Sequence, residues 1–150
     1  MSRGALLASL TLVLTGCTDG DSRMTHEEYE QQLRAAIVEA QSAVLKNGGA
    51  ISRAPVPIPD DPRVELLVQR IDGAAAKVEA LEPPEDAGRW NREIASALRA
   101  IADSASSLAA KPQAGFRPLS GYQDALLASP GEQRLRAAVR ELADLGYTLE

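Results

Sequence analysis

The stretch DPRVELLVQRIDGAAAKVEALEPPEDAGRWNREIASALRAIADSASSL, residues 61–108, decides the fold. Val64, Leu67, Ile71, Ala74, Val78 and Leu81 recur at alternating steps of three and four, a heptad seam that predicts an amphipathic helix. Asp61 as cap and Pro62 in the first turn open it. Pro83-Pro84 then breaks the path. Pro84, Glu85 and Asp86 predict the start of a second helix, because acids favour the positive end of the helix dipole. Its seam reads Ala87, Trp90, Ile94, Ala97, Ile101, Ala105 and Leu108. So short a connection makes the two helices antiparallel neighbours, an αα-hairpin. Gly73 and the run Ala74-Ala75-Ala76 thin the first of them, so a neighbour is expected to approach closely there.

Upstream, Thr25-His26-Glu27-Glu28 matches a capping box, with Met24 and Tyr29 at the spacing of a hydrophobic staple. The apolar stripe that follows is Tyr29, Leu33, Ala36, Ile37, Ala40 and Val44, and Asn47-Gly48-Gly49 predicts its stop. Pro55, Pro57 and Pro59 predict an extended connector that Val56 and Ile58 tack onto the core. Downstream, Gly115, Pro118 and Gly121 interrupt residues 111–129, with room for a short helix over 122–128. Ser129-Pro130-Gly131-Glu132 reads as a second capping box. Leu135, Ala138, Val139, Leu142 and Leu145 share a face of the last helix, with Arg134, Arg136, Arg140 and Glu141 elsewhere. Gly146 is its expected stop, and residues 147–150 read as a tail.

Composition agrees. Ala (26) and Leu (19) make up 30% of the 150 residues, and aromatic residues only 3%. Strong helix formers without β-branched or aromatic enrichment favour helices over sheets. The expected fold is all-α, an up-and-down bundle of three long helices plus a shorter fourth. It occupies residues 25–146.

The first sixteen residues have the pattern of an export signal: Arg3, then an uncharged run over residues 4–14, too short to span a bilayer. Leu14-Thr15-Gly16-Cys17 resembles the lipobox of bacterial lipoproteins. The resemblance implies a cleaved lipoprotein signal peptide over 1–16, diacylglycerylation of the Cys17 thiol, and a new N-terminus at Cys17. Residues 17–24 then form a lipidated Cys and polar tether. Two or more acyl chains hold stably where one holds only marginally. The remaining body carries 15 basic and 21 acidic side chains, so it is not drawn to an anionic bilayer surface. A net charge of −5 for the whole chain argues against a nucleic-acid partner.

Little in the sequence supports catalysis. The single His, His26, falls in a first helical turn, and the single Cys is taken by the lipobox. Triads and imidazole-rich metal sites need more than that. Glu27, Glu28 and Glu30, and Glu85 with Asp86, read as capping and dipole groups rather than a Ca²⁺ loop. Glu30 with Arg34 and Glu85 with Arg89 have the spacing of surface ion pairs. Trp90 reads as core and Tyr29 as staple. Phe116 and Tyr122 lie in the irregular connector, where a recognition surface would sit. No catalytic residue, cofactor or metal is expected.

Val78-Glu79-Ala80-Leu81-Glu82-Pro83-Pro84-Glu85-Asp86, leading into a long Ala/Leu helix, is similar to the Leu-x-Pro-Pro helical hairpin of small predicted lipoproteins from actinobacteria and similar bacteria. Many of those carry a His soon after Pro-Pro. Here Arg89-Trp90-Asn91 stands instead, so no role for that His carries over, and the resemblance implies no activity. The expected function is that of a membrane-anchored extracytoplasmic lipoprotein, lipid-held through acylated Cys17 on the outer face of a cell membrane. Its body reads as a non-enzymatic helical binding or accessory module for an envelope protein partner. The alternative is a small-ligand-binding lipoprotein with a pocket between the helices.

Overall fold

The computed structural model of the chain describes residues 23–53, 61–110 and 121–149. The leader, the lipobox residues Leu14, Thr15, Gly16 and Cys17, most of the tether, Pro55, Pro57, Pro59 and Phe116 lie outside the described residues. Among the described residues the regular structure is all helical: α1 (His26–Ala43), a π-helical turn (Val44–Gly48), α2 (Gly49–Ser52), α3 (Pro62–Glu79), α4 (Gly88–Ala110), α5 (Tyr122–Leu127) and α6 (Pro130–Asp144).

α1 starts at the capping box. Thr25 Oγ1 accepts from the Glu28 N–H at 3.3 Å, and the Glu28 carboxylate accepts from the Thr25 N–H at 3.0 Å. That backbone hydrogen bond holds the Glu28 carboxyl below its ordinary pKa. Every residue of the predicted stripe is buried. The stop at Asn47-Gly48-Gly49 is not found: the backbone stays right-handed, widens to a π turn, and continues as α2 to Ser52. These glycines serve close packing instead. A Cβ on Gly49 would lie 3.1 Å from Gln123 Oε1, and one on Gly48 3.6 Å from Gln123 Cβ.

α3 opens as read, with the Asp61 carboxylate accepting from the Arg63 N–H at 2.9 Å and gripping the Arg63 guanidinium at 2.8 and 2.6 Å. Leu67, Ile71, Ala74 and Val78 are fully buried, while Leu81 is only partly so. Of the thin stretch at residues 73–76, Ala74 and Ala75 are fully buried, whereas Gly73 is exposed with no atom within 4 Å of its would-be Cβ. A close approach occurs at Gly131, where a Cβ would stand 2.7 Å from the Ile101 backbone nitrogen.

α4 begins at Gly88, after a turn over residues 85–87, so Glu85 and Asp86 precede the helix and its first turn holds no acid. Ala87, Ile94, Ala97, Ile101 and Ala105 of the predicted seam are buried. Asn91 takes the buried position, and Trp90 is half-buried with the Arg89 guanidinium 4.6 Å above its ring. Leu98 and Ala102 join Ile94, Ala97, Ile101 and Ala105 inside, whereas Leu108 is only partly covered.

Contacts fix the directions. Met24 N–H donates to Glu82 O beyond the end of α3, and Arg63 at its start donates to Ala50 O, so α1 and α3 run oppositely. Arg134 near the start of α6 reaches Glu93 and Ser96, and Gly131 abuts Ile101, so α6 runs back along α4. α3 packs on α4, α4 on α6 and α1 on α3, whereas α1 and α6 make few close backbone contacts. The interior between them holds Leu33, Leu67, Ile71, Ile94, Leu98, Ile101 and Leu142, all at 2% exposure or less. Each contributes roughly 1.5–3 kcal/mol on burial. Among the described residues no helix is long and apolar enough to cross a membrane.

Candidate functional site

Two constructions stand out from ordinary packing, and the C-terminus joins them. Helix α6 is capped by Ser129, whose Oγ accepts from the Glu132 N–H at 3.3 Å. Only this half of the second capping box forms. The Ser129 N–H goes to Leu126 O, and the Glu132 carboxylate turns to Arg136 at 3.0 Å. At the other end Gly146 adopts φ 95°, its N–H donating to Ala143 O and the Tyr147 N–H to Leu142 O. This is a Schellman stop, and it folds the following residues back against the helix.

The residues read as a tail are therefore part of the body as far as Leu149. Tyr147 is buried and stacks on His26 with ring centroids 4.7 Å apart. Its ring also meets Tyr29 edge-on at 5.6 Å. The Tyr147 hydroxyl donates to Asp86 Oδ1 at 2.7 Å and lies 3.3 Å from His26 Nε2. Burial and the Asp86 carboxylate push the Tyr147 pKa well above its ordinary value. Thr148 is held by its N–H donating to Glu30 Oε1 and its carbonyl accepting from Arg34. Glu30 and Arg34 thus clasp the C-terminal strand of chain between them rather than forming the expected pair. Glu85 likewise pairs with Arg23, at 3.2 Å, and Arg89 lies on Trp90.

Behind this cluster, Tyr29 OH donates to Asn91 Oδ1 at 3.1 Å, and Asn91 Nδ2 donates to Val78 O at 2.9 Å. One buried amide ties α1, α3 and α4. Burial raises the Tyr29 pKa, with Asp86 adding to the effect. At the opposite end Tyr122 OH donates to Ala105 O at 2.9 Å, and burial pushes its pKa up to about 12. Asn47, in the π turn, has a buried Nδ2 with no hydrogen-bond partner among the described residues.

The second construction is a trough of about 670 Å³ between α1 and α6. Ile37, Val38 and Gln41 form one wall, Leu135, Val139 and Ala143 the other, and Tyr147, Thr148 and Leu149 close one end. Next to it, sharing Gln41 and Leu135 as lining, is an almost wholly apolar cleft of about 130 Å³, lined by Val44, Leu45, Ile71, Leu98, Ile101 and Leu127. Val38 and Leu45 are 51% and 57% exposed on its rim. Arg136 and Arg140 line the trough, and among the described residues no carboxylate side chain does.

The structure thus brings His26 and Asp86 together with Tyr147, and leaves Trp90 and Tyr122 in packing roles. Sequence reading missed the trough. Its signal was present: Val38 and Leu45 lie seven apart and off the buried stripe, as an apolar edge would. Among the described residues no three side chains of metal-ligating type cluster. The chain matches no protein-family model, no curated protein and no solved structure.

Proposed function

We propose that the protein is a membrane-anchored extracytoplasmic lipoprotein, held by acylated Cys17 after removal of its leader. Its body acts as a non-enzymatic binding or accessory module of the cell envelope, an up-and-down bundle that binds through the face between α1 and α6. The observation that supports this reading is the trough itself. Along this seam Val38 and Leu45 stand in water, and its ionic side chains among the described residues are arginines, in a chain of net charge −5. Exposed contiguous apolar surface of this kind marks binding sites.

A second reading, a small-ligand-binding lipoprotein, draws support from the cleft. It is an apolar cleft beside a hollow whose volume falls in the range of ligand sites.

Thiol protection tests the binding face. With Cys17 lipidated, a Val38→Cys or Leu66→Cys chain carries one free thiol. In the isolated chain Val38 is the more exposed of the two, at 51% against 39%. In intact envelopes the order should invert, with the Val38→Cys thiol reacting more slowly. A Val38→Cys thiol that stays the faster one contradicts the binding face.

A further inference from the structure

We propose that the trough between α1 and α6 binds a single-chain fatty-acid carboxylate, its hydrocarbon tail in the apolar cleft and its acid on Arg140. The inference rests on the second reading above and names the ligand class.

The shape argues for a chain rather than a compact ligand. The hollow is elongated, following α6 from Leu135 to Ala143, roughly 12 Å at 1.5 Å per residue. Its Leu135 end borders the cleft, with which it shares Gln41 and Leu135 and whose lining is aliphatic apart from Gln41 and Glu132. The Glu132 carboxylate is turned to Arg136, so it presents no free charge to a tail. At the other end Tyr147, Thr148 and Leu149 form a wall, kept in place by the Schellman stop and by the Glu30 and Arg34 clasp.

The charge argues for an anion. Both ionic side chains that line the trough are arginines. Arg136 is already engaged by Glu132, whereas Arg140, one turn on, has no hydrogen-bond or ion-pair partner among the described residues. A free guanidinium accommodates one carboxylate through two parallel N–H···O bonds. One uncommitted cation therefore fits a monoanion better than a phosphate dianion. The apolar walls and the single cation together describe an amphiphile with one acid head.

The test uses the full 150-residue chain carrying Cys17→Ser, so that no covalent acyl group competes. Calorimetric titration below the micellar range compares dodecanoate, octanoate, dodecyl phosphate and dodecyltrimethylammonium. The expected result is saturable one-to-one binding of dodecanoate, tighter than octanoate by up to about fourfold per added CH₂. Dodecyl phosphate should bind no more tightly, and the cation should not bind. Arg140→Glu should weaken dodecanoate about tenfold or more, and Arg70→Glu, on the exposed face of α3, should leave it unchanged. Val38→Glu, on the rim, should weaken binding too, so the result does not hang on one variant. No saturable binding, equal binding of all three head groups, or indifference to Arg140→Glu overturns the proposal. Protection of a Val38→Cys thiol in envelopes alongside absent dodecanoate binding would overturn the ligand class and leave the binding face standing.

Discussion

Tyr147 donates its phenolic hydrogen to Asp86 Oδ1 at 2.7 Å, joining the turn after α6 to the loop between α3 and α4. Sixty-one residues separate the two in sequence. The bond exists because Gly146 reverses the backbone at the end of α6 and returns Tyr147 to the core. The C-terminus consequently forms one end of the α1/α6 trough as well as a strap across the bundle's end.

Removing residues 147–150 should therefore destabilise the body by about 2–4 kcal/mol, as loss of a buried aromatic side chain does. Tyr147→Phe keeps the ring and should cost only about 1 kcal/mol, because Asp86 stays 44% exposed and regains water. Urea denaturation of the two variants checks the order. Equal stability of the truncated and intact chains would mean the strap is not held.

Asn91 should be worth more than its surface suggests. Asn91→Leu leaves Tyr29 OH buried without its partner, while Val78 O keeps the Leu81 N–H at 3.2 Å, a loss of about 1–3 kcal/mol. Adding Tyr29→Phe should recover part of it, since one orphaned group is then gone. A double-mutant cycle measures that coupling. Strictly additive effects would show that the bond carries none.

Two glycines give opposite expectations. Gly131→Ala drives a methyl to 2.7 Å from the Ile101 nitrogen, so α4 and α6 must separate at a cost of about 1–3 kcal/mol. Gly73→Ala meets nothing within 4 Å and should stabilise α3 by up to about 1 kcal/mol. Melting temperatures should move in opposite directions.

All three tyrosines have pKa values raised in the folded chain, with burial the first cause in each. The folded state then holds protons that the unfolded state releases near pH 10, so stability falls as pH rises above that point. The contribution is complete below about pH 10 and, for Tyr122, is lost progressively up to about 12. Phenolate absorbance and helical circular dichroism should change together on alkaline titration. Tyrosines that ionise near pH 10 with the helices intact would contradict the burial argument.

The sequence carried the helices and their starts plainly, because Thr25, Asp61 and Ser129 are local signals that need no tertiary context. Gly48-Gly49 misled, since the same residues serve a helix stop and a close approach. Only the proximity of Gln123 decides between them. Trp90 was chosen for the α4 seam by its hydrophobicity, but the helix begins at Gly88 and its phase puts Asn91 inside. Gly146 was legible as a stop. Its consequence, an aromatic at the next position returning to the core, was readable from the same motif. The trough was legible only in its apolar edge, Val38 and Leu45, because no period along one helix reports which pair of helices stays apart.

Anchoring through Cys17 is the claim on which the rest depends, and metabolic labelling with palmitate in a bacterium that processes lipoproteins tests it most directly. The wild-type chain should take up label, lose residues 1–16 and remain with the membrane fraction. Cys17→Ser should take up none and either keep its leader or leave the membrane, because a hydroxyl cannot form the thioether. Equal labelling of the two chains, or an unlabelled wild type released in soluble form, would contradict the account.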